Sequence, residues 1–350
     1  MWRIIKSAFP GRKGEGEKGM KRGFVILAAL VMLAMPAMTV MARGAQASGE
    51  TVVAGVVFQE DQFMRLLSLG YQDAAKEAGY RCLLGNTAND QAKEAELINT
   101  YVAQKVAGLA IAPLNAATSL PVLQRASATM KIAITNTSTN DAPFIVGGYT
   151  SDNTNLGATS GDAAAKLIRD QMGGNAKIAI LEFKSLLPDQ SGERVTGFLD
   201  AVKKVNPNVQ IVADQDAWLQ DKAVQVAGDI LTAHPDINII FGANDGGTIG
   251  SVMAVKNAGL AGKCFVFGID TGDQQLAMLR DQDNILQAVA GQDPYTQGYN
   301  AMKVLIDAIQ GKDYSATKGK TIIVPGVLVS RSDPAGIDAF EKGLQDKLSR

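Results

Sequence analysis

The strongest constraint on this chain is the repeated alternation of short apolar runs with helical patterns. Runs rich in Val, Ile and Leu recur at 51–58, 81–84, 108–112, 131–136, 177–181, 209–212, 237–241, 264–269 and 285–290. Between them lie segments of helical period: over 63–78, Met64, Leu67, Tyr71, Ala74, Ala75 and Ala78 fall on one face, and over 221–233 so do Val224, Val226, Ile230 and Leu231. The runs are apolar throughout and do not alternate, the mark of strands covered on both faces, and hence of parallel sheets with helices on each side. So many strand–helix units exceed one comfortable doubly wound sheet, so the α/β chain is expected to build two. A polar, turn-rich stretch at 147–155 (GGYTSDNTN), between a strand and a helix over 156–168, marks a boundary between two similarly planned halves. Several strands run out into polar residues: Gln59-Glu60-Asp61, Pro113-Leu114-Asn115, Asn244-Asp245 and Asp270-Thr271. Ligands of open α/β sheets sit outside those carboxyl ends, so two facing sheets would line a cleft from both sides.

The first fifty residues break this pattern. From Phe24 to Ala42 there is no charge; Lys21-Arg22 precede the stretch and Ala45-Gln46-Ala47 follow it. This is the layout of a secretory signal peptide, with cleavage expected after Ala47 and export to the periplasm as the consequence. A retained membrane anchor is the alternative reading, since the stretch approaches the ~20 residues needed to span a bilayer; Pro36 and the small-residue exit argue against it. Met20 opens a conventional signal of its own (MKRGFVIL), which makes residues 1–19 a candidate upstream extension. The whole chain balances 34 Lys+Arg against 35 Asp+Glu. Residues 1–47 hold eight of the basic and two of the acidic residues, which leaves 26 against 33, a net charge of −7, in the remainder. An acidic exported part is a poor partner for nucleic acid.

Enzyme motifs are mostly absent. His234 is the only histidine, and it precedes Pro235 at a helix end; there is no G-x-S-x-G elbow, Walker loop or H-E-x-x-H. Gly246-Gly247-Thr248-Ile249-Gly250 lacks dinucleotide spacing and reads as close backbone packing. Cys82 and Cys264, 182 positions apart, are expected in different lobes as separate buried thiols, although an oxidising compartment would permit their pairing. What stands out is a set of planar polar and aromatic side chains at strand ends: Asp61, Phe63, Asn136, Arg194, Trp218, Asn244, Asp270 and Gln292. Neutral sugars call for that combination, because each hydroxyl donates and accepts while the C–H faces of the ring rest on aromatic rings.

From Thr51 onward, VVAGVVFQEDQFM, GYQDAAKEAGY, GLAIAPLNA, YTSDNT, ERVTGF, LTAHPDINIIFGANDGGTIG, VFGID and AVAGQDPYTQG follow one another in the order found in a known family. The chain resembles the ribose/galactose-type periplasmic sugar-binding proteins of ABC transporters, of type I periplasmic-binding-protein fold. The resemblance implies two doubly wound parallel-sheet lobes joined by three hinge crossovers, near Ser151, near Gln292 and at 322–325. Residues 48–151 with 293–323 would form the amino-terminal lobe, and 152–292 with 324–350 the carboxyl-terminal one. It implies that Asp61 accepts from hydroxyls with Met64 beside it, that Phe63 and Trp218 form opposite aromatic walls, and that Asn136, Arg194, Asn244, Asp270 and Gln292 bind ring or hydroxyl oxygens. The family's polar contacts in the loop 185–191 fall on Asp189 or Gln190, and Ala112 stands where ribose-type members place a polar residue. The calcium loop of galactose-type members has no counterpart, so no metal and no cofactor is implied. The resemblance further implies a monomeric, non-enzymatic carrier of an aldohexose or aldopentose that serves a membrane permease and ATPase. A sensor feeding a chemotaxis or two-component receptor, and a binder of a polyol or furanosyl signalling molecule, are the alternatives.

Overall fold

In a computed structural model of the chain, the described residues are 50–139 and 142–349. The signal-peptide expectation therefore falls outside the described residues. Two six-stranded sheets organise the rest. The first contains β1 (Val52–Val57), β2 (Arg81–Asn86), β3 (Gly108–Ile111), β4 (Lys131–Thr135) and β5 (Ile145–Thr150), and the second β6 (Lys177–Glu182), β7 (Gln210–Asp216), β8 (Ile239–Gly242), β9 (Phe265–Ile269) and β10 (Leu286–Gly291). Two late strands complete them: β11 (Thr321–Ile323) pairs with β5, and β12 (Val327–Ser330) with β10. The orders β11-β5-β4-β3-β1-β2 and β12-β10-β9-β8-β6-β7 are the same plan used twice, all parallel except for the antiparallel β12. The expected α/β architecture of two parallel-sheet lobes is thus the observed one.

Helices α1 (Gln62–Glu77), α2 (Gln91–Ala103) and α3 (Ala116–Ala126) follow β1, β2 and β3 of the first sheet. In the second sheet's half, α4 (Asn153–Met172), α5 (Pro188–Val205), α6 (Gln220–Ala233), α7 (Asp245–Asn257) and α8 (Asp273–Arg280) alternate with the strands. Helix α9 (Pro294–Ile309) returns to pack on β3, β4 and β5, while α10 (Pro334–Leu348) packs on β12. Each sheet is clad on both faces. Val53 and Val57 of β1 join a core with α1 and α9, whereas Ala54 and Val56 join another with α2 and α3. Ile178 and Ile180 of β6 pack with α4 and α5, and Ala179 and Leu181 with α6 and α7. Successive strand residues point to opposite faces, so each continuous apolar run of the sequence feeds two cores.

The polar stretch at 147–155 starts later than its composition suggests. Gly147 and Gly148 are buried strand residues of β5, where a Cβ at Gly148 would lie 2.8 Å from Ile134 Cγ1 and one at Gly147 3.1 Å from Thr317 Cβ. Glycine at these positions makes room for the neighbours and does not signal a turn. The chain crosses between the sheets after β5, after β10 and between β11 and β12. At the first crossing, buried Ser151 accepts a hydrogen bond from Gln297 Nε2 of α9 at 3.0 Å. Cys82 lies in β2 and Cys264 just before β9, both free and packed in different cores, Cys82 half-buried and Cys264 buried. Burial pushes their thiols up to about 11 and about 12, so neither is a ready nucleophile.

Candidate functional site

The carboxyl ends of both sheets converge on one cavity of ≈ 50 Å³. From the first sheet's side it is lined by Phe58, Gln59, Asp61, Phe63, Met64 and Asn136. From the other come Phe183, Leu186, Leu187, Gln190, Arg194, Asn244, Asp245, Asp270 and Gln292. Eight of the nine residues expected from the sequence are therefore brought together, and Trp218 is not.

Asp61 is the N-cap of α1. Its Oδ1 accepts from Met64 N at 2.7 Å, which fixes Met64 and Phe63 in the first turn, and its other oxygen accepts from Gln59 Nε2. Burial holds its carboxyl above the ordinary range, helped by the nearby charge of Asp270 and opposed by the bond from Met64. Asn136 and Asp270 occupy matching positions just past β4 and β9, and both adopt left-handed backbone, φ 56 and φ 75. In each case the backbone N–H still donates to the neighbouring strand, Asn136 to Tyr149 O and Asp270 to Ala290 O, both at 2.9 Å. The side chain is thereby turned off the sheet edge and into the cleft. Strained backbone of this kind persists where its surroundings over-determine it, and it clusters at ligand sites.

Arg194 is buried in α5. Its Nε donates to Asn153 Oδ1 and its Nη1 to Ala243 O, both at 2.9 Å, and its guanidinium lies 5.0 Å from the centre of the Phe183 ring. No acceptor among the described residues meets Nη2, so that donor remains for a ligand. Helix packing sets its depth: a Cβ on Gly157 of α4 would lie 2.0 Å from Arg194 O, and one on Gly197 2.0 Å from Thr154 O, so α4 and α5 cross at backbone contact. Burial lowers the pKa of the guanidinium, and the Coulomb attraction of Asp270 resists that. Asp270 accepts from Gln292 Nε2 at 2.6 Å on one oxygen and from Asp245 N at 3.1 Å on the other. Asn244 is the N-cap of α7, its Oδ1 accepting from Gly247 N at 3.1 Å and its Nδ2 donating to Trp218 O at 3.0 Å. It frames the cavity while spending both ends of its amide on the helix start and on that carbonyl.

Trp218 requires correction. It lines a neighbouring cavity with Leu219, Gln220 and Gly246, and Phe63 is not part of that space. Its indole N–H donates to Ser185 Oγ at 3.3 Å, and a Cβ on Gly246 would lie 2.3 Å from its carbonyl oxygen. The tryptophan is therefore held against the start of α7 and the loop after β6, and Phe183 supplies the second-lobe ring that lines the cavity with Phe63. Phe183 follows β6 as Phe58 follows β1, so the internal repetition of the two halves could have revealed it. Of the pair Asp189 and Gln190, Asp189 is exposed, and Gln190 reaches across to donate to Asn136 O at 2.6 Å.

Asp245 was also missed, although it directly follows Asn244. Its Oδ1 is buried without a hydrogen-bond partner, and burial together with the charges of Asp270 and Asp61 pushes its carboxyl up to about 7. Near neutral pH it can thus both donate and accept, as a hydroxyl partner should. Among the described residues no cluster of His, Cys, Asp or Glu is arranged to hold a metal ion, and no helix is long and apolar enough to cross a membrane.

Comparison with known proteins decides the family. The profile of the periplasmic binding protein domain matches residues 53–313. The chain belongs to that family. It is 29% identical over 269 residues to the ABC transporter periplasmic-binding protein YphF of Escherichia coli, covering 74% of this chain and 80% of the relative. It is 27% identical over 270 residues to the ribose import binding protein RbsB of Bacillus subtilis, covering 76% and 84%. Among solved structures, an ABC transporter solute-binding protein of Actinobacillus succinogenes with bound D-allose superposes with a TM-score of 0.69 at 25% identity, covering 81% of this chain and 98% of that one. A carbohydrate transporter solute-binding protein of Agrobacterium radiobacter in complex with D-arabinose gives 0.73 at 23% identity, covering 83% and 99%. These relatives are binding proteins, not enzymes, and the family resemblance and type I fold read from the sequence stand.

Proposed function

We propose that this chain is exported by its amino-terminal signal, works in the periplasm, and captures a monosaccharide, an aldohexose or aldopentose, between its two lobes for delivery to the permease and ATPase of an ABC importer. The observation that carries this reading is the convergence of Asp61, Asn136, Arg194, Asp270 and Gln292 from two sheets on one cavity flanked by Phe63 and Phe183. Carboxylates and amides there offer paired acceptors and donors to vicinal hydroxyls, Arg194 Nη2 offers a charged donor to a ring or hydroxyl oxygen, and the phenyl rings take the C–H faces.

The lobes, 48–151 with 293–323 and 152–292 with 324–350, would move about the three crossings. At ≈ 50 Å³ the cavity is close to the room taken by one or two waters, so a pyranose enters only when the lobes separate. Separation would break the bond from Gln190 to Asn136 O and the pair that Gln62 makes with Asp273, whose N–H donates to Gln62 Oε1 at 3.0 Å. A sugar held by both lobes replaces these contacts with its own and so favours closure through its higher affinity for the closed form. The purified chain lacking residues 1–47 should show a raised thermal midpoint with one or a few monosaccharides in a panel of sugars, polyols, nucleosides and amino acids. A shift confined to nucleosides or amino acids would sink the sugar reading.

A further inference from the structure

Next to the small polar cavity lies a larger one of ≈ 310 Å³, and Phe63, Asp245, Asp270 and Gln292 line both. Its other walls are mostly apolar and come from both lobes: Leu66 of α1 and Tyr295 of α9 on one side, Val327 of β12 with Phe340 and Leu344 of α10 on the other. Leu66, Tyr295 and Leu344 pack together at its floor, joining α10 to the first lobe. The groups suited to hydroxyls thus border two further spaces between the lobes, this mostly apolar one and a polar one of ≈ 420 Å³ beside Trp218 and Gln220, and only the first offers walls suited to hydrocarbon.

We infer that the ligand is a sugar carrying an apolar substituent, an alkyl, aryl or thioether group, whose polar ring sits among Asp61, Asn136, Arg194 and Asp270 and whose substituent passes between Phe63 and the Asp270–Gln292 pair into this second cavity. The inference rests on the sugar-capture reading above and narrows its substrate class. A free monosaccharide leaves the larger cavity to water, whereas a substituted one removes apolar surface of both lobes from water in the closed form alone. The added apolar contact therefore strengthens closure as well as affinity.

Gly343 supplies the test. It lies on α10 facing this cavity, and a Cβ placed there meets no atom within 4 Å. Gly343→Leu and the bulkier Gly343→Trp add a side chain at the α10 wall of this cavity, away from Asp61, Asn136 and Arg194, which line the smaller cavity and not this one. Calorimetric titrations would use D-glucose, D-galactose and D-ribose, each free and as its methyl, n-butyl and phenyl glycosides in both anomers. For at least one sugar and anomer, the butyl or phenyl glycoside should bind at least tenfold more tightly than the methyl glycoside, in line with roughly three- to fourfold per buried methylene. Both Gly343 variants should erase that gain and leave the free sugar's affinity unchanged, while Asp270→Gly should weaken free and substituted sugars alike. Tight binding of free sugars with no gain from any substituent, or a gain that survives both Gly343 variants, overturns the inference and leaves the sugar reading intact. If no free or substituted sugar binds, the sugar reading itself fails and the inference goes with it.

Discussion

The two lobes share one plan but not one chemistry. Each closes a pair of helices at backbone contact through a glycine on either side: Gly70 of α1 and Gly298 of α9 in the first lobe, Gly157 of α4 and Gly197 of α5 in the second. Each turns one residue into left-handed backbone at the same sheet position, Asn136 or Asp270. The charges, however, are unequally shared. The first lobe offers the amide of Asn136, the ring of Phe63 and the single carboxylate of Asp61, whereas the second offers Arg194, Asp245 and Asp270. Charge-assisted hydrogen bonds are about twice as strong as neutral ones. On the sugar-capture proposal, a common scaffold would be divided into a second lobe that grips and a first lobe that closes over.

The helix pairs provide the most forceful way to break the comparison. Gly157→Ala drives a methyl into Arg194 O and Gly70→Ala drives one into Tyr295 O, so each should lower stability by about 2–3 kcal/mol or more in denaturant melts. The lobes part company in binding: Gly157→Ala also displaces Arg194 and should weaken sugar affinity about tenfold beyond its stability effect, while Gly70→Ala should not. Equal losses of affinity would show that Arg194 has no special role.

A second test exploits the charge carried by the gripping lobe. Burial pushes the Asp245 carboxyl from 3.8 to about 7, so between those values the folded chain holds a proton that the unfolded chain has released. Stability must then fall as pH rises through that window, by up to about 1.4 kcal/mol per pH unit, and the full penalty applies above it. Asp245→Asn should leave stability at pH 4 unchanged and raise it at pH 8 by about 1–3 kcal/mol, measured by urea melts across the range. An unchanged pH profile would remove Asp245 from the buried charge cluster.

The smallest effect separates the aromatic rings. Phe63→Ala should cost about tenfold in sugar affinity by calorimetry, because the ring lines the cavity. Trp218→Ala should cost less than about threefold, because its indole is tied to Ser185 on the neighbouring cavity. The reverse order would restore Trp218 as a ligand wall.

Much of this was legible in the sequence, for stated reasons. Apolar runs such as GLAIA and IIFG announce strands buried on both faces, and the polar residues after such runs mark the sheets' carboxyl ends, which is why Asp61, Asn136 and Asp270 could be named. Strand β5 was obscured because Gly147 and Gly148 look like a turn, although the neighbouring Ile134 and Thr317 are what demand their small size. Trp218 misled because a large aromatic after a strand satisfies the pattern whichever way it faces, and its direction is set by packing on the core under α4 and α5 and by the indole bond to Ser185. Asp245 escaped because its character comes from burial beside Asp61 and Asp270, charges that lie far away in the sequence.

The central claim is that one sugar is held by both lobes at once, and a matched pair of glycine substitutions tests it most directly. Because Asn136 and Asp270 both have left-handed backbone, Asn136→Gly and Asp270→Gly each delete a side chain without adding backbone strain. Calorimetric titration of both variants with the sugar that gives the largest thermal shift should show one site per chain, a loss of about tenfold for Asn136→Gly and of about a hundredfold for Asp270→Gly. Undiminished affinity in Asn136→Gly, with the loss confined to Asp270→Gly, would mean that a single lobe holds the ligand and would contradict the account.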